Sequence, residues 1–429
     1  MMDLRALYRL YLDNPVICTD TRKLTPGCLF FALKGERFDG NRFAEEAADK
    51  GAQKVITCRQ DLRGDRFFFS PDPLATLQAL ARFHRQRFTF PVLALGGSNG
   101  KTTTKELIKA VIREGYRCHA TPGNLNNHIG VPLTLLSTPP DTQFLIVEIG
   151  ANHLQETAFL CRLVQPTYGL ITNNGKDHLE GFGSPENVAR ANAGLYDYLR
   201  RSGGLAFVNG GDASLWRHSH SLQRLPYNLS KSLAWSGPLE GGLRPSFLLH
   251  PGGHPVQLQI FGAHNIPNAL AACAVGRYFG MSGEAVAKAL SQYEPTGYRS
   301  AILKWKDAVV VADCYNANPS SLHAALTEFA RTAPRPRAAI LADMLELGPY
   351  APEEHRQILQ SLQKSDGLDE VILCGPEFCR AAQELDLPYP CFENTAELKN
   401  WFDTHAWKGY HLLLKGSRKF TLEKLIETP

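Results

Sequence analysis

Short apolar runs of strand length alternate with amphipathic segments along most of the 429-residue chain. In residues 1–84, "CLFFAL", "KVITC" and "RFFFS" read as short strands among helical pieces, giving a small mixed unit. "PLATLQALARFHRQRF" then has helical spacing and runs into the strand "PVLAL". "QFLIVEIG", "YGLITNN" and "LAFVNG" follow as continuous apolar runs, each ending in polar or glycine residues. Such runs separated by helices predict a parallel sheet covered on both faces. From 226 to 262 the texture changes to short Pro/Gly-punctuated strands, the pattern of an antiparallel appendage. "NIPNALAACAVGRYFG" and "GEAVAKALSQ" read as helices, and the alternation restarts with "AVVVADCY", "RAAILADM", "EVILCG" and "HLLLKGS". The pattern therefore predicts an α/β protein of three domains, 1–84, 85–297 and 298–429. They are a small mixed α/β unit, a P-loop parallel-sheet unit and a Rossmann-like unit.

In open parallel sheets, ligands gather beyond the carboxyl ends of the strands. Those ends carry Gly97 to Thr102, Glu148, Asn173 to His178, Asp313 to Asn316, Asp343 and Lys415 to Ser417. Two α/β units that each present a polar rim predict a site in the cleft between them.

Composition narrows the partners. A formal net charge of +4 with no dense Lys/Arg block gives no reason to expect nucleic acid. The N-terminal "MMDLRALYRLYLDNP" interrupts its apolar residues with charges, and no segment is long enough to span a bilayer, so a cytoplasmic protein without membrane insertion is expected. The ten cysteines are scattered singly, Cys374 and Cys379 being the nearest pair; reduced thiols are expected rather than a zinc ribbon.

The most informative stretch is "PVLALGGSNGKTTTKELIKAVIREGY". A strand, the loop Gly96, Gly97, Ser98, Asn99, Gly100, and a helix beginning Lys101, Thr102, Thr103 form a phosphate cradle. Glycines let backbone N–H groups approach an anion, Lys101 can meet the β/γ-phosphates, and Thr102 offers a hydroxyl to Mg²⁺. Leu107, Ile108, Val111 and Ile112 share one face of the helix. The strict Walker pattern fails only at Leu95, five before Gly100. ATP is the expected nucleotide.

The variant "GGSNGKTTT" resembles the loop of the Mur ligase superfamily, the ATP-dependent amide-forming enzymes of peptidoglycan precursor synthesis. "TDTRKLTPGCLFFALKGERFDGNRF", "TPGNLNNHIGVPLTLL", "VEIGANHLQE", "DHLEGFGSPENV", "GAHNIPNALAA", "DCYNANPSSLHAAL", "ADMLELG" and "LLKGSR" resemble, in order, segments of its D-alanyl-D-alanine-adding branch. The resemblance implies the substrates UDP-N-acetylmuramoyl-tripeptide and D-alanyl-D-alanine, ATP and Mg²⁺ as cofactors, and an acyl-phosphate intermediate. A monomer is the expected state for an enzyme whose third domain closes on its second.

Roles follow from the same resemblance. Thr102, Glu148 and His178 would hold Mg²⁺. His264, Asn265 and Asn268 would lie at the adenine, with Asn265 as a helix cap the competing reading. Asp313 would bind ribose, and Arg299 would reach the γ-phosphate on closure. Asn127, Tyr315, Asn316, Asn318 and Ser320 would serve the substrates, against a bland reading as turn and capping residues. Lys415, Ser417 and Arg418 would meet the dipeptide carboxylate or form an exposed basic loop. Thr21, Arg22 and Lys34 would bind the uridine diphosphate moiety, or are solvated charges. Sibling ligases and a non-catalytic nucleotide-binding homologue are the rival functions.

One departure stands out. The family carries a carbamylated lysine whose carboxylate helps to hold a second magnesium. Counting from Gly183, that position falls on Asn192, with Arg190 two residues before, and no lysine occurs between Lys176 and Lys231. Three arrangements stay open: a differently held second metal, one metal assisted by a cation such as Arg190, or reduced activity. Smaller departures are His128, where an acidic residue is usual, and Gly96, where threonine is usual.

Overall fold

The computed structural model describes residues 3–36, 38–228, 235–239, 242–250 and 252–427. It is an α/β protein with three parallel or mostly parallel sheets and one small antiparallel one. The first sheet is four parallel strands: Ile17–Cys18, Leu29–Phe31, Lys54–Thr57 and Phe67–Phe69. The second has six parallel strands in the order Gln223–Tyr227, Leu205–Asn209, Tyr168–Ile171, Val92–Gly96, Phe144–Glu148, Cys118–Ala120. Its central strands Val92–Gly96 and Phe144–Glu148 are buried throughout, as continuous apolar runs require.

The appendage is the antiparallel trio Trp235–Leu239, Ser246–Leu249 and His254–Gln257, while residues 229–234, 240–241 and 251 of that stretch lie outside the described residues. The last sheet runs Ala301–Trp305, Ala308–Asp313, His411–Lys415, Arg337–Ala342, Glu370–Cys374, Cys391–Phe392. Only Ala301–Trp305 pairs antiparallel there.

Helix starts follow local chemistry. Asp72 accepts the Ala75 N–H ahead of Pro73, and Ser184 accepts the Asn187 N–H ahead of Pro185. Asn318 forms a reciprocal capping box with Ser321 ahead of Pro319. Each puts a proline where its missing N–H has no helical partner to lose.

The first helix, Leu4–Asp13, and the helix Pro73–Arg85 share a core with the second sheet. Leu7, Tyr11, Leu77 and Leu80 pack with Val92, Ala94, Leu135 and Val147. Burying one such side chain contributes about 1.5–3 kcal/mol. Polar clamps add direction: Tyr11 Oη donates to Leu136 O at 2.6 Å, and buried Arg85 donates to Val164 O and Gln165 O, both at 2.6 Å. Those two carbonyls end the helix Glu156–Val164, so Arg85 satisfies groups the helix cannot.

Candidate active-site cleft

The strand ends of the second and last sheets face one cleft of about 1320 Å³. On one wall, Gly97 (φ +121°) and Gly100 (φ +77°) shape the loop before the helix Lys101–Ile112. A Cβ on Gly97 would stand 2.2 Å from Thr172 Oγ1, and one on Gly100 2.8 Å from the Asn268 amide, so both positions require glycine. Gly96 makes only ordinary contacts, and neither Gly96 nor Gly97 lines the cleft. Ser98, Asn99, Gly100, Lys101, Thr102 and Thr103 all line it. Lys101 is folded over its own loop, donating to Gly97 O (2.6 Å) and Ser98 O (2.9 Å), with Asp177 Oδ2 at 3.7 Å.

Glu148 ends its strand 1% exposed. Its Oε1 accepts from Thr102 Oγ1 (3.2 Å) and Asn126 Nδ2 (2.8 Å), and its buried Oε2 accepts no hydrogen bond. Lys105 lies behind it, fully buried. Its Nζ donates to Thr121 O (2.7 Å) and Gly123 O (3.0 Å), and stands 3.1 Å from Glu106 Oε1 and 3.6 Å from Glu148 Oε2. Sequence reasoning missed Lys105; its one signal is the lysine three residues past Thr102, on the side of the helix that carries that hydroxyl.

His178 does not meet Thr102 or Glu148 directly. Its Nδ1 stands 2.7 Å from Glu346 Oε2 of the last unit, and its Nε2 3.5 Å from Asp177 Oδ2. Burial disfavours its charged ring, but the Glu346 hydrogen bond and the two carboxylates outweigh burial and raise its pKa.

The opposite wall comes from the last unit. Arg299 stacks over the Tyr315 ring at 3.4 Å. Asp313 Oδ1 accepts from Ser300 N–H (2.9 Å), and its Oδ2 from Lys415 Nζ (2.6 Å). Burial pushes that carboxyl up, but the Lys415 charge and hydrogen bond win and hold it low. Lys415 is 2% exposed and tied to Asp313, so the exposed-loop reading fails for it. Ser417, also 2% exposed, accepts the Leu345 N–H (2.9 Å) and does not line the cleft. Arg418 is exposed at the rim, pairs with Glu423 and lies 5.8 Å from the Tyr315 ring.

Of the predicted adenine residues, His264 lies near Asp313 and Lys415, with Nδ1 buried and unpartnered; burial lowers its pKa. Asn265 is not the side-chain cap its position suggested. Its Nδ2 donates to Phe261 O (2.8 Å) and its Oδ1 accepts from Asn268, which sits against Gly100. Asn316 is exposed in the cleft, and Ser320 Oγ accepts the Lys176 N–H (3.1 Å). Asn318 bridges the two units, donating to Asn99 Oδ1 (2.8 Å) and Asp177 Oδ1 (3.1 Å).

Asn127 lines the cleft, but its side chain caps the helix Gly130–Leu136 by accepting from Ile129 and Gly130 N–H. His128 lines it too. Thr21, Arg22 and Lys34 do not; they lie on the first unit, Arg22 paired with Asp20 and 87% exposed.

Asn192 is 7% exposed on the helix Pro185–Ser202, one residue behind the cleft wall. Its Nδ2 donates to Asn174 Oδ1 (2.9 Å), and Asn174 Nδ2 donates to Ser214 Oγ (3.1 Å). Arg190, two positions earlier and so on the other side of the helix, is exposed; it cannot assist from there.

Among the described residues, no three His, Cys, Asp or Glu side chains form a ready-made metal site. Magnesium keeps waters and phosphate oxygens and needs only one or two carboxylates. Glu148 Oε1, which meets the Thr102 hydroxyl at 3.2 Å, fits that role, while Oε2 is turned toward Lys105. The neutral, committed amide of Asn192 does not fit a second ion.

Three family models match: "Mur ligase family, catalytic domain" over 16–65, "Mur ligase middle domain" over 95–276, and "Mur ligase, glutamate ligase domain" over 298–418. The chain is 34% identical to the UDP-N-acetylmuramoyl-tripeptide–D-alanyl-D-alanine ligase of Bacillus subtilis, covering 96% of this chain and 92% of that protein. It is 35% identical to the ligase of that name from Escherichia coli, over 84% and 81%. A crystal structure of MurF from Acinetobacter baumannii superposes with a TM-score of 0.87 at 32% identity, covering 95% and 92%.

Proposed function

The chain belongs to the Mur ligase family, and from that premise we propose how its cleft works. It is an ATP-dependent ligase that forms a C–N bond, adding D-alanyl-D-alanine to UDP-N-acetylmuramoyl-tripeptide in peptidoglycan synthesis. The amide cannot form directly from a carboxylate in water. The tripeptide's terminal carboxylate oxygen attacks the γ-phosphorus of ATP, and ADP leaves. The dipeptide amine then attacks the carbonyl carbon of the acyl phosphate, loses a proton, and inorganic phosphate departs. The protein's part is positioning and charge neutralisation.

In this reading the loop Gly97–Gly100 and Lys101 hold the β/γ-phosphates, and Arg299 reaches the transferred group from the opposite wall. His264, Asp313 and Asn268 lie around the nucleoside. Thr102 and Glu148 would hold Mg²⁺, which supplies charge neutralisation at the phosphates when bound. We take 1–84, 85–297 and 298–429 as the three domains, with Thr21, Arg22 and Lys34 at the uridine diphosphate end. Asn316 and Arg418 stand on the dipeptide side, and Lys415, tied to Asp313, stays with the nucleoside group instead.

The observation that carries the reading is the meeting in one cleft of the phosphate loop and Arg299, which are about 200 residues apart in sequence and border separate sheets. The test is phosphate release from ATP with each acceptor alone and with both. Release that needs both, matched by pentapeptide nucleotide, is expected. Release indifferent to D-alanyl-D-alanine, or none at all, overturns it.

A further inference from the structure

Part of the cleft wall plays no part in holding the phosphates. It is built from the turn His153–Gln155 and the helix Glu156–Val164, with Gln78 from the helix Pro73–Arg85 donating to His128 O at 3.0 Å. The helix that carries Gln78 shares a core with Leu29 and Phe31 of the first sheet, so this wall adjoins the unit that bears Thr21, Arg22 and Lys34. Resting on the ligase reading, an acceptor anchored on that unit must cross this wall to bring its terminal carboxylate to the phosphate loop.

The charges along the cleft are unevenly committed. Five carboxylates line it, and each is answered. Glu148 is held by Asn126 and faces Lys105, Glu156 accepts from the Asn152 and His153 N–H groups, and Asp177 accepts from Asn318 and faces Lys101. Asp313 is paired with Lys415, and Glu346 with His178. Arg162 lines the cleft as well, is exposed, and among the described residues its guanidinium makes no hydrogen bond or ion pair. Its central carbon stands 5.7 Å from the Phe159 ring, and nearby on the same wall Leu154 is 41% exposed. A cation in the last turn of a helix is ordinary. That does not account for one left without a partner on a cleft wall beside open apolar surface.

We propose that Arg162 reads the side-chain end of the acceptor's third residue and selects a diamino dicarboxylic residue over lysine. The methylenes of that side chain lie over Leu154 and Phe159, and its distal carboxylate accepts from the guanidinium, whose planar fork fits a carboxylate with two parallel bonds. The carboxylate that reacts with ATP is the residue's other one, so Arg162 sets specificity and is not a catalytic residue. Lysine brings a lone ammonium to a wall that offers it no open carboxylate and an unanswered guanidinium of like charge. The dicarboxylic residue carries an ammonium too, but on the same carbon as the carboxylate that answers Arg162.

The test is calorimetric binding of two UDP-N-acetylmuramoyl-tripeptides, one ending in 2,6-diaminopimelate and one in lysine, to the full chain with ADP present. Wild type is expected to bind the first about three- to tenfold tighter, the range for a partly exposed bidentate pair. In Arg162→Gln the ratio of the two affinities should fall to about one, in Arg162→Glu it should turn toward lysine, and Arg162→Lys should keep part of it. Each ratio is taken within one protein, so a general loss of folding does not imitate the result. A wild-type ratio near one or in favour of lysine overturns the inference, and so does an Arg162→Gln protein that keeps the wild-type ratio. Binding of neither nucleotide overturns the ligase reading and this inference with it. A protein that shows the preference yet forms no amide counts against the reaction and not against Arg162.

Discussion

Lys105→Met is the perturbation that weighs the buried charge behind the cleft. Methionine keeps the length of the chain but removes the ammonium. Thr121 O and Gly123 O, at 2.7 and 3.0 Å, lose their donor, and Glu106 and Glu148 lose a cation at 3.1 and 3.6 Å. Hydrogen bonds to charged groups contribute about 1.5–3 kcal/mol each. Removing one partner of a buried ion pair costs about 3–5 kcal/mol. These terms describe the same atoms and do not add, so the expected loss is about 3–5 kcal/mol, a large share of a typical domain's stability. A protein of several units does not unfold in one step, so the readout is native-state hydrogen exchange. Amides of the helix Lys101–Ile112 and the segment 121–127 should open more easily by that amount, while those of the last sheet hold. Since Asn126 on that segment holds Glu148, magnesium affinity in the presence of ADP should fall as well. Protection within about 1 kcal/mol of wild type would refute the claim that Lys105 organises this wall.

Other expectations follow from the same geometry. Gly97→Ala places a methyl 2.2 Å from Thr172 Oγ1 at φ +121°, and strain of about 1–3 kcal/mol should weaken ADP binding by about 5- to 150-fold in calorimetry. Tyr315→Leu removes the platform under Arg299; a loss of about 0.5–2 kcal/mol should lower kcat several-fold with little change in the KM for ATP, and an unchanged kcat would separate Arg299 from the reaction. Burial, with help from Arg87, pushes His84 down to about 4, so its neutral form favours the folded state. Its contribution is full above the ordinary histidine value near 6.5 and is lost as pH falls toward 4. The helix Leu4–Asp13, tied to His84 through Tyr8 at 3.0 Å, should become protease-sensitive over that window, and His84→Gln should flatten the dependence.

How much of this was legible in the sequence depends on how local each feature is. The phosphate loop, Glu148 and Asp313 were readable because continuous apolar strands announce where a parallel sheet ends. Edge strands such as Gln223–Tyr227 and Ala301–Trp305 were not, because partial exposure breaks their apolar runs. For Asn265 a helix cap competed with a place at the adenine because its position alone suggests one; the nearby Phe261 carbonyl and Asn268 amide take its side chain instead. For Lys415 an exposed basic loop stood as the rival to a substrate contact because its partner, Asp313, is 102 residues away. The hidden features are all of that kind. Asn318 meets Asn99 and Asp177, His178 meets Glu346, and Lys176 meets Glu354 at 2.5 Å, each across more than 140 residues of sequence. No periodicity encodes such pairs, since each partner is satisfied equally well by water until the units dock. Polar contacts of this kind can return to solvent at small cost, where a wholly apolar seam would hold the units shut. Leu179 and Phe182, packed with Met344 and Leu347, supply the apolar anchor of the same seam. They follow His178 directly, so docking of the last unit bears on the loop that carries Asp177 and His178.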